Sequence, residues 1–310
     1  MNTISNRQAV CDALIKRADT DKDIVVLFSD SRGSASMDAF ISRFPDRVVE
    51  TGIAEQNLVG IAAGLASCGK KPYVFSPACF LTARGYEQIK VDVAYSRSNV
   101  KLIGISGGVS YGALGMTHHS VQDIAAMASI PNMRVYLPSD RFQTGGLIEQ
   151  LALDALPAYV RIGRNAVEDI YSGGAPLRLD KAALLKEGSD IGIIACGETV
   201  KPALDAAHIL ESESISARVL DMYCVKPLDA EAVLETSEAV KRILVVEEHV
   251  GWGGLGSAVA QITGGHAPVK VRCLAFPDEP LIAGSSKELF AHYRLDAVSI
   301  ADACRELCLS

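Results

Sequence analysis

The stretch "TGIAEQNLVGIAAGLASCGK", Thr51 to Lys70, decides how the chain is read. From Asn57 onward, Leu58, Val59, Ile61, Ala62, Ala63, Leu65 and Ala66 put apolar or small side chains on nearly every face of a helical wheel, the pattern of a helix buried all round. Yet Glu55 stands in its first turn. The residues alone allow three roles for that acid. It can satisfy orphan N–H groups and favour the positive end of the helix dipole. It can be an ordinary exposed acid ahead of the buried part. Or it can be a buried carboxyl with a raised pKa, able to share a proton with a heterocycle.

Around this helix, short β-rich runs alternate with longer helical patterns: "DIVVLFSD" (23–30), "KPYVFSPA" (71–78), "NVKLIGIS" (99–106), "MRVYLPSD" (133–140) and "PAYVRIG" (157–163). Such alternation predicts βαβ units, an α/β fold with a mostly parallel sheet and helices on both faces. Several runs end in a polar or small residue, at Asp30, Ser76, Ser106 and Ser139, and open α/β sheets bind ligands at those carboxyl ends. The pattern breaks near "YSGGAPLRLD" (171–180) and restarts with "DIGIIACG" (190–197), "ISARVLDMY" (215–223), "RILVVEEH" (242–249) and "PVKVRCLAF" (268–276). The expected organisation is two α/β domains, 1–172 and 189–310, joined by a linker at 173–188.

Composition narrows the function classes. A chain of 310 residues, 49% hydrophobic, can build two cores. A net charge of −7 and the lack of any run of five basic residues argue against nucleic acid or anionic membrane as partner. The N-terminus lacks the apolar core of a signal peptide and no apolar run is long enough to span a bilayer, so a cytoplasmic location is expected. Eight cysteines without a CxxC pair read as reduced, buried thiols. Cys304 and Cys308 lie one helical turn apart, but no His or Asp completes a metal site with them, so no metal ligands are expected.

A second stretch, "FSPACFLTARGYEQI" (75–89), would bring Phe80 and Tyr86 to a neighbouring strand end. An acid facing an aromatic in a dry crevice suits an aminopyrimidine: the carboxyl bonds a ring nitrogen and the aromatic supplies a stacking face. Here the motifs converge. "TGIAEQN", "FSPACFLTARGYEQIKVDVAY", "GALGMTHHSVQDIAAM" and "YVRIGRN" resemble, in order, the pyrimidine-binding domain of transketolase. "IACGETVKPALDAA", "VLDMYCVKPLD" and "VVEEHVGWGGLGSAV" resemble that family's C-terminal domain.

The resemblance spans essentially the whole chain. It implies thiamine diphosphate as cofactor, with Glu55 as the acid contacting the pyrimidine N1′, and transfer of a two-carbon ketol unit from a ketose phosphate to an aldose. It implies that His118 contacts substrate oxygens, that Arg164 and Ser34 hold the sugar's phosphate, for which an Arg fork is well shaped, and that Asp30 lies near the thiazolium. On the residues alone, His118 is equally a loop histidine beside His119, Arg164 a surface charge after a strand, and Asp30 a helix N-cap.

The departures from the family pattern carry their own expectations. Of the pyrimidine-stacking aromatics Phe80 is present, but Pro77 and Ala83 stand three residues either side of it, leaving Tyr86 as the candidate substitute. Ser106 and Leu114 replace a second substrate His and an Asp that binds a donor hydroxyl, which points to a branched or unusual sugar. The family holds the diphosphate and Mg²⁺ in a preceding domain marked by GDG, and no GDG occurs in this sequence. The chain therefore resembles the second subunit of a split transketolase, with Mg²⁺ held by an N-terminal partner subunit and an α2β2 assembly expected. The alternatives are a 1-deoxyxylulose-5-phosphate synthase-like enzyme, a 2-oxoacid dehydrogenase E1 β-type subunit, and a non-catalytic regulatory subunit. Gly251, Gly253 and Gly256 also have GxGxxG spacing, but they fall late in their domain, where a dinucleotide fingerprint would sit in the first βα turn.

Overall fold

The computed structural model describes residues 3–173 and 177–309; positions 174–176 of the expected linker lie outside them. Six strands form the body of the first sheet: β1 (Ile24–Phe28), β2 (Val48–Glu50), β3 (Lys71–Pro77), β4 (Lys101–Ile105), β5 (Arg134–Tyr136) and β6 (Ala158–Ile162). They run parallel in the order β5-β6-β4-β3-β1-β2. β1, β4 and β6 are buried at every position, which is why their sequences are near-continuous apolar runs rather than alternating ones. From β1 the chain moves outward to β2 and then crosses to β3 on the other side. The connections leaving β1 and β3 thus diverge, and this switch point opens a crevice at the carboxyl ends of the two strands.

The second sheet contains β7 (Ala183–Lys186), β8 (Ile191–Ala195) and β9 (Ala217–Asp221), followed after β10 (Cys224–Lys226) by β11 (Arg242–Val250) and β12 (Lys270–Phe276). Its order is β12-β11-β8-β9-β7, with only β7 antiparallel. β7 lies inside the stretch read as a linker, and β10 leaves the second half of the chain to pair antiparallel with β5 of the first sheet. Neither short strand has a periodic signal of its own, because each is specified by the edge it completes.

The Glu55–Ser67 helix packs Leu58, Val59, Ala62 and Ala63 into the core, while Gln56, Asn57, Gly64 and Ser67 stay exposed. This corrects the reading of a helix buried all round. One sheet face covers one side of the helix, and within this chain the small-residue side remains open.

The two domains are fastened by buried charge. Arg161 of β6 donates to Glu248 Oε2 at 2.7 Å and to its carbonyl at 2.8 Å, and pairs with Asp123 at 3.4 Å. The backbone N–H of Val109 donates to Glu248 Oε1 at 2.7 Å. Such a cluster is tolerated only because each charge is partnered. Glu198, in the turn after β8, is less well provided for: its Oε1 is sealed from solvent without a hydrogen-bond partner. That oxygen lies 1.4 Å from where a Cβ on Gly163 would stand, so the glycine of "RIGRN" is the space the glutamate occupies. Burial, reinforced by Glu248, pushes the Glu198 carboxyl from 4.5 up to about 8.

The late glycines also have a packing role. Glu247 of β11 accepts from the N–H groups of Leu255 and Gly256 at 2.7 and 2.9 Å, at the start of the Leu255–His266 helix. A Cβ at Gly254 would stand 2.0 Å from Glu247 Oε2, and one at Gly256 would stand 2.5 Å from Cys273 Sγ of β12. The helix N-terminus that would greet a dinucleotide pyrophosphate is already capped by the chain's own carboxylate.

Two outcomes follow. Gly256→Val should lower stability by about 1–3 kcal/mol through overpacking, and NAD should not shift the melting temperature of the native protein; a saturable rise with NAD would revive the dinucleotide reading. For Glu198, the raised carboxyl means that between pH 4.5 and about 8 the folded chain holds a proton the unfolded chain has lost, so stability falls as pH rises through that window. Melts of Glu198→Gln against wild type should show no gain near the acid end and a growing gain toward the alkaline end. A difference independent of pH would contradict the buried-carboxyl account.

Candidate active site

A cleft of about 310 Å³ opens at the switch point, lined from three directions. The loop after β1 and the short helix Arg32–Ala35 contribute Ser29, Asp30, Ser31 and Ser34, and the loop after β2 leads through Ile53 into Glu55. The end of β3 and the helix Ala78–Arg84 contribute Pro77, Phe80 and Arg84. The loop after β4 closes the far side with Tyr111, Leu114 and His118. Of the residues singled out from sequence, the fold thus gathers Glu55, Phe80, Asp30, Ser34, Leu114 and His118 around one space.

Glu55 is 3% exposed and opens its helix, with Ala54 as the N-cap. Its two oxygens accept from Arg84 Nη1 at 3.0 and 3.1 Å. The acid is therefore neither a solvated surface residue nor the N-cap. The same guanidinium lies over the Phe80 ring, 4.3 Å from its centroid. Phe80 and Arg84 are four residues apart on one helix, which sets them on the same face.

His118 meets Phe80 edge-on at 5.2 Å between centroids and Tyr111 at 5.7 Å, and its Nδ1 shares a hydrogen bond with Thr117 Oγ1 at 2.9 Å. His119, its neighbour, turns inward: its Nε2 donates to the Gly112 carbonyl at 3.2 Å, and burial holds it below the ordinary histidine pKa. The two histidines are thus divided between cleft and core. Asp30 is exposed, with a left-handed φ of 55°, and its backbone N–H donates to Glu50 at 2.8 Å. It is not a helix N-cap, since Ser31 takes that position in the following helix.

Three residues fall elsewhere. Arg164 does not line the cleft; its guanidinium lies over the Tyr111 ring at 5.0 Å, beside the wall that holds Ser34. Tyr86 follows Gly85, which ends the Phe80 helix, and so leaves the cleft side; its hydroxyl pairs with Ser129 Oγ at 2.9 Å. Ser106 is 1% exposed, adopts φ 55°, and its hydroxyl has no hydrogen-bond partner. It is buried rather than lining the open space that the sequence reading assigned to it beside His118.

Sequence reasoning passed over Arg7, Tyr111 and Arg84. Arg7, in the Asn6–Ala18 helix, donates from Nε and Nη2 to the Arg164 carbonyl at 3.1 and 2.7 Å and from Nη1 to the Ser34 carbonyl. Burial and the nearby Arg164 lower its pKa. Tyr111 donates to Ser34 Oγ at 3.0 Å. Arg7 and Tyr111 thereby tie two candidate anion contacts together and make that end of the cleft cationic. The visible signals were an arginine opening the first helical pattern and a tyrosine in the Gly-rich "SYGALG" loop; neither is diagnostic without its long-range partners.

Comparison with known proteins identifies the family. Residues 2–169 match the model of the transketolase pyrimidine binding domain, and residues 180–300 that of the transketolase C-terminal domain. The chain is 48% identical over 306 residues to one of the subunits of the apulose-4-phosphate transketolase from Phocaeicola vulgatus, covering 98% of each. It is 36% identical over 301 residues to a 6-deoxy-6-sulfo-D-fructose transketolase subunit from a Clostridium species, covering 97% of this chain and 94% of the relative. A solved split-gene transketolase, described as an inactive beta4 tetramer, superposes with a TM-score of 0.91 at 35% identity, covering 99% of both chains. Thiamine diphosphate dependence comes with that family's pyrimidine-binding domain. The chain belongs to the transketolase family, as the subunit that carries its pyrimidine-binding and C-terminal domains and takes part in ketol transfer.

Proposed function

We propose that this chain supplies the pyrimidine half of a split transketolase active site and that its donor is an unusual ketose bearing a terminal anion, with apulose 4-phosphate the leading candidate. The observation that carries the reading is the buried Glu55 carboxylate beside the Phe80 face in a cleft at the strand switch point. That donor set fits the aminopyrimidine of thiamine diphosphate: an acid for a ring nitrogen and an aromatic for its face. We assign the diphosphate and Mg²⁺ to the partner subunit, in keeping with this chain's match to the pyrimidine-binding and C-terminal domains of the family. Exposed Ile53 and Leu114 at the cleft, and exposed Trp252 in the chain's second half, offer apolar surface for that partner, in an α2β2 assembly.

When bound, thiamine diphosphate supplies the nucleophilic carbon that carries the two-carbon unit. This chain's residues do the rest on their side of the site. Glu55 holds or releases a proton at a ring nitrogen from a water-poor position, where a carboxyl is most effective as acid and base. Phe80 is the stacking floor. His118, with Nδ1 engaged by Thr117, presents Nε2 to a sugar oxygen. The Ser34 and Tyr111 hydroxyls at the cleft wall, with the Arg164 guanidinium behind the Tyr111 ring and Arg7 behind both, form the end that receives the distal phosphate or sulfonate. Leu114, 54% exposed at the cleft wall, makes no hydrogen-bonding demand on the donor's middle hydroxyls, so a sugar lacking or displacing one leaves no buried group unpaired.

In the reconstituted enzyme, Glu55→Gln should slow hydrogen–deuterium exchange at the cofactor C2 by about 10²–10⁴-fold; exchange at the wild-type rate would reduce Glu55 to a structural acid. In a panel of donors, kcat/KM should favour apulose 4-phosphate over xylulose 5-phosphate by about tenfold or more, and Leu114→Asp should narrow the gap. A native preference for xylulose 5-phosphate, with the variant less active on it, would overturn the substrate assignment.

A further inference from the structure

The Arg84 guanidinium makes two contacts at once. It bonds both oxygens of a carboxylate that is 3% exposed, and it lies 4.3 Å from the Phe80 centroid. These are the acid and the stacking face that the proposed function gives to the aminopyrimidine, and this inference rests on that reading. A guanidinium is itself planar and rich in N–H donors, so it meets the same two recognition elements by the same chemistry. Both cannot be used by it and by a ring in the same place.

We propose that Arg84 is a displaceable counter-cation of the cofactor slot: it neutralises Glu55 and covers Phe80, and it must swing aside for the pyrimidine to enter. The surroundings permit the motion. Arg84 is the last residue of its helix, Gly85 follows it, and its side chain is 47% exposed, whereas Glu55 is fixed in a packed helix. The exchange is possible although it breaks an ion pair and a cation–π contact, because the half-exposed guanidinium returns to water while the entering ring nitrogen replaces it as partner of the buried carboxyl. It is not free, so cofactor affinity carries the cost of breaking them. Arg84 thereby keeps the buried acid paired until the correct ring replaces it, without adding any contact to the bound cofactor's pyrimidine.

The test is calorimetric titration of thiamine diphosphate, at saturating Mg²⁺, into the reconstituted two-chain protein carrying wild-type chain, Arg84→Met or Arg84→Lys. Removing the competing cation should tighten binding, with Kd about three- to tenfold lower for Arg84→Met, and Arg84→Lys, which keeps the charge but not the planar fork, falling between. Unchanged or weaker binding by Arg84→Met overturns the displacement, and a weaker value assigns Arg84 to holding the cofactor instead. If no form, wild type included, binds thiamine diphosphate, the cofactor reading itself fails and the displacement falls with it.

Discussion

A carboxylate withdrawn from water must be met by a cation, a hydrogen-bond donor or a proton, and the burial of Glu55 is where this chain takes on that demand. The acid's helix must begin at the crevice, so the connections leaving β1 and β3 must diverge, and its core face, Leu58, Val59, Ala62 and Ala63, must fill the sheet behind it. The three loops that line the cleft follow from the same geometry, because each leaves the carboxyl end of a parallel strand near the switch point. What remains open is the choice of partner for the carboxylate. The chain answers with Arg84, a residue that can leave.

The same physical demand is answered differently between the domains. Arg161 meets Glu248 and Asp123 with buried side chains on strand and helix, and Val109 adds a backbone donor. Those side chains are closed to solvent, and burial pushes the carboxyl of the remaining acid, Glu198, up to about 8 rather than pairing it with a cation. One buried charge system holds the loops after β4 and β6 against the second domain; the other leaves a displaceable cation at the cleft mouth. The contrast separates charge used to fix the fold from charge kept for exchange.

Much of the architecture was legible because parallel strands buried on both faces announce themselves as apolar runs: all nine runs quoted from the sequence contain strands. β2, β7 and β10 were not, being three or four residues long and defined by the neighbours they pair with. In the site, Glu55, Phe80, His118 and Leu114 could be placed by motif, since each lies in a quoted motif that follows a strand. Tyr86 and Ser106 misled for a local reason: Gly85 ends the helix before Tyr86, and a left-handed turn rotates Ser106 into the interior. Arg7 was out of reach for a global one. Its partner Arg164 lies 157 residues away, and no local pattern encodes that meeting.

We propose that this chain holds the acid and the ring face of a thiamine diphosphate site and its partner subunit the diphosphate and metal ligands. The direct measurement is titration of thiamine diphosphate with Mg²⁺ into this chain alone, into its N-terminal partner alone, and into the two mixed. The account predicts tight binding and ketol transfer only in the mixture. Micromolar binding with turnover by this chain alone would contradict it.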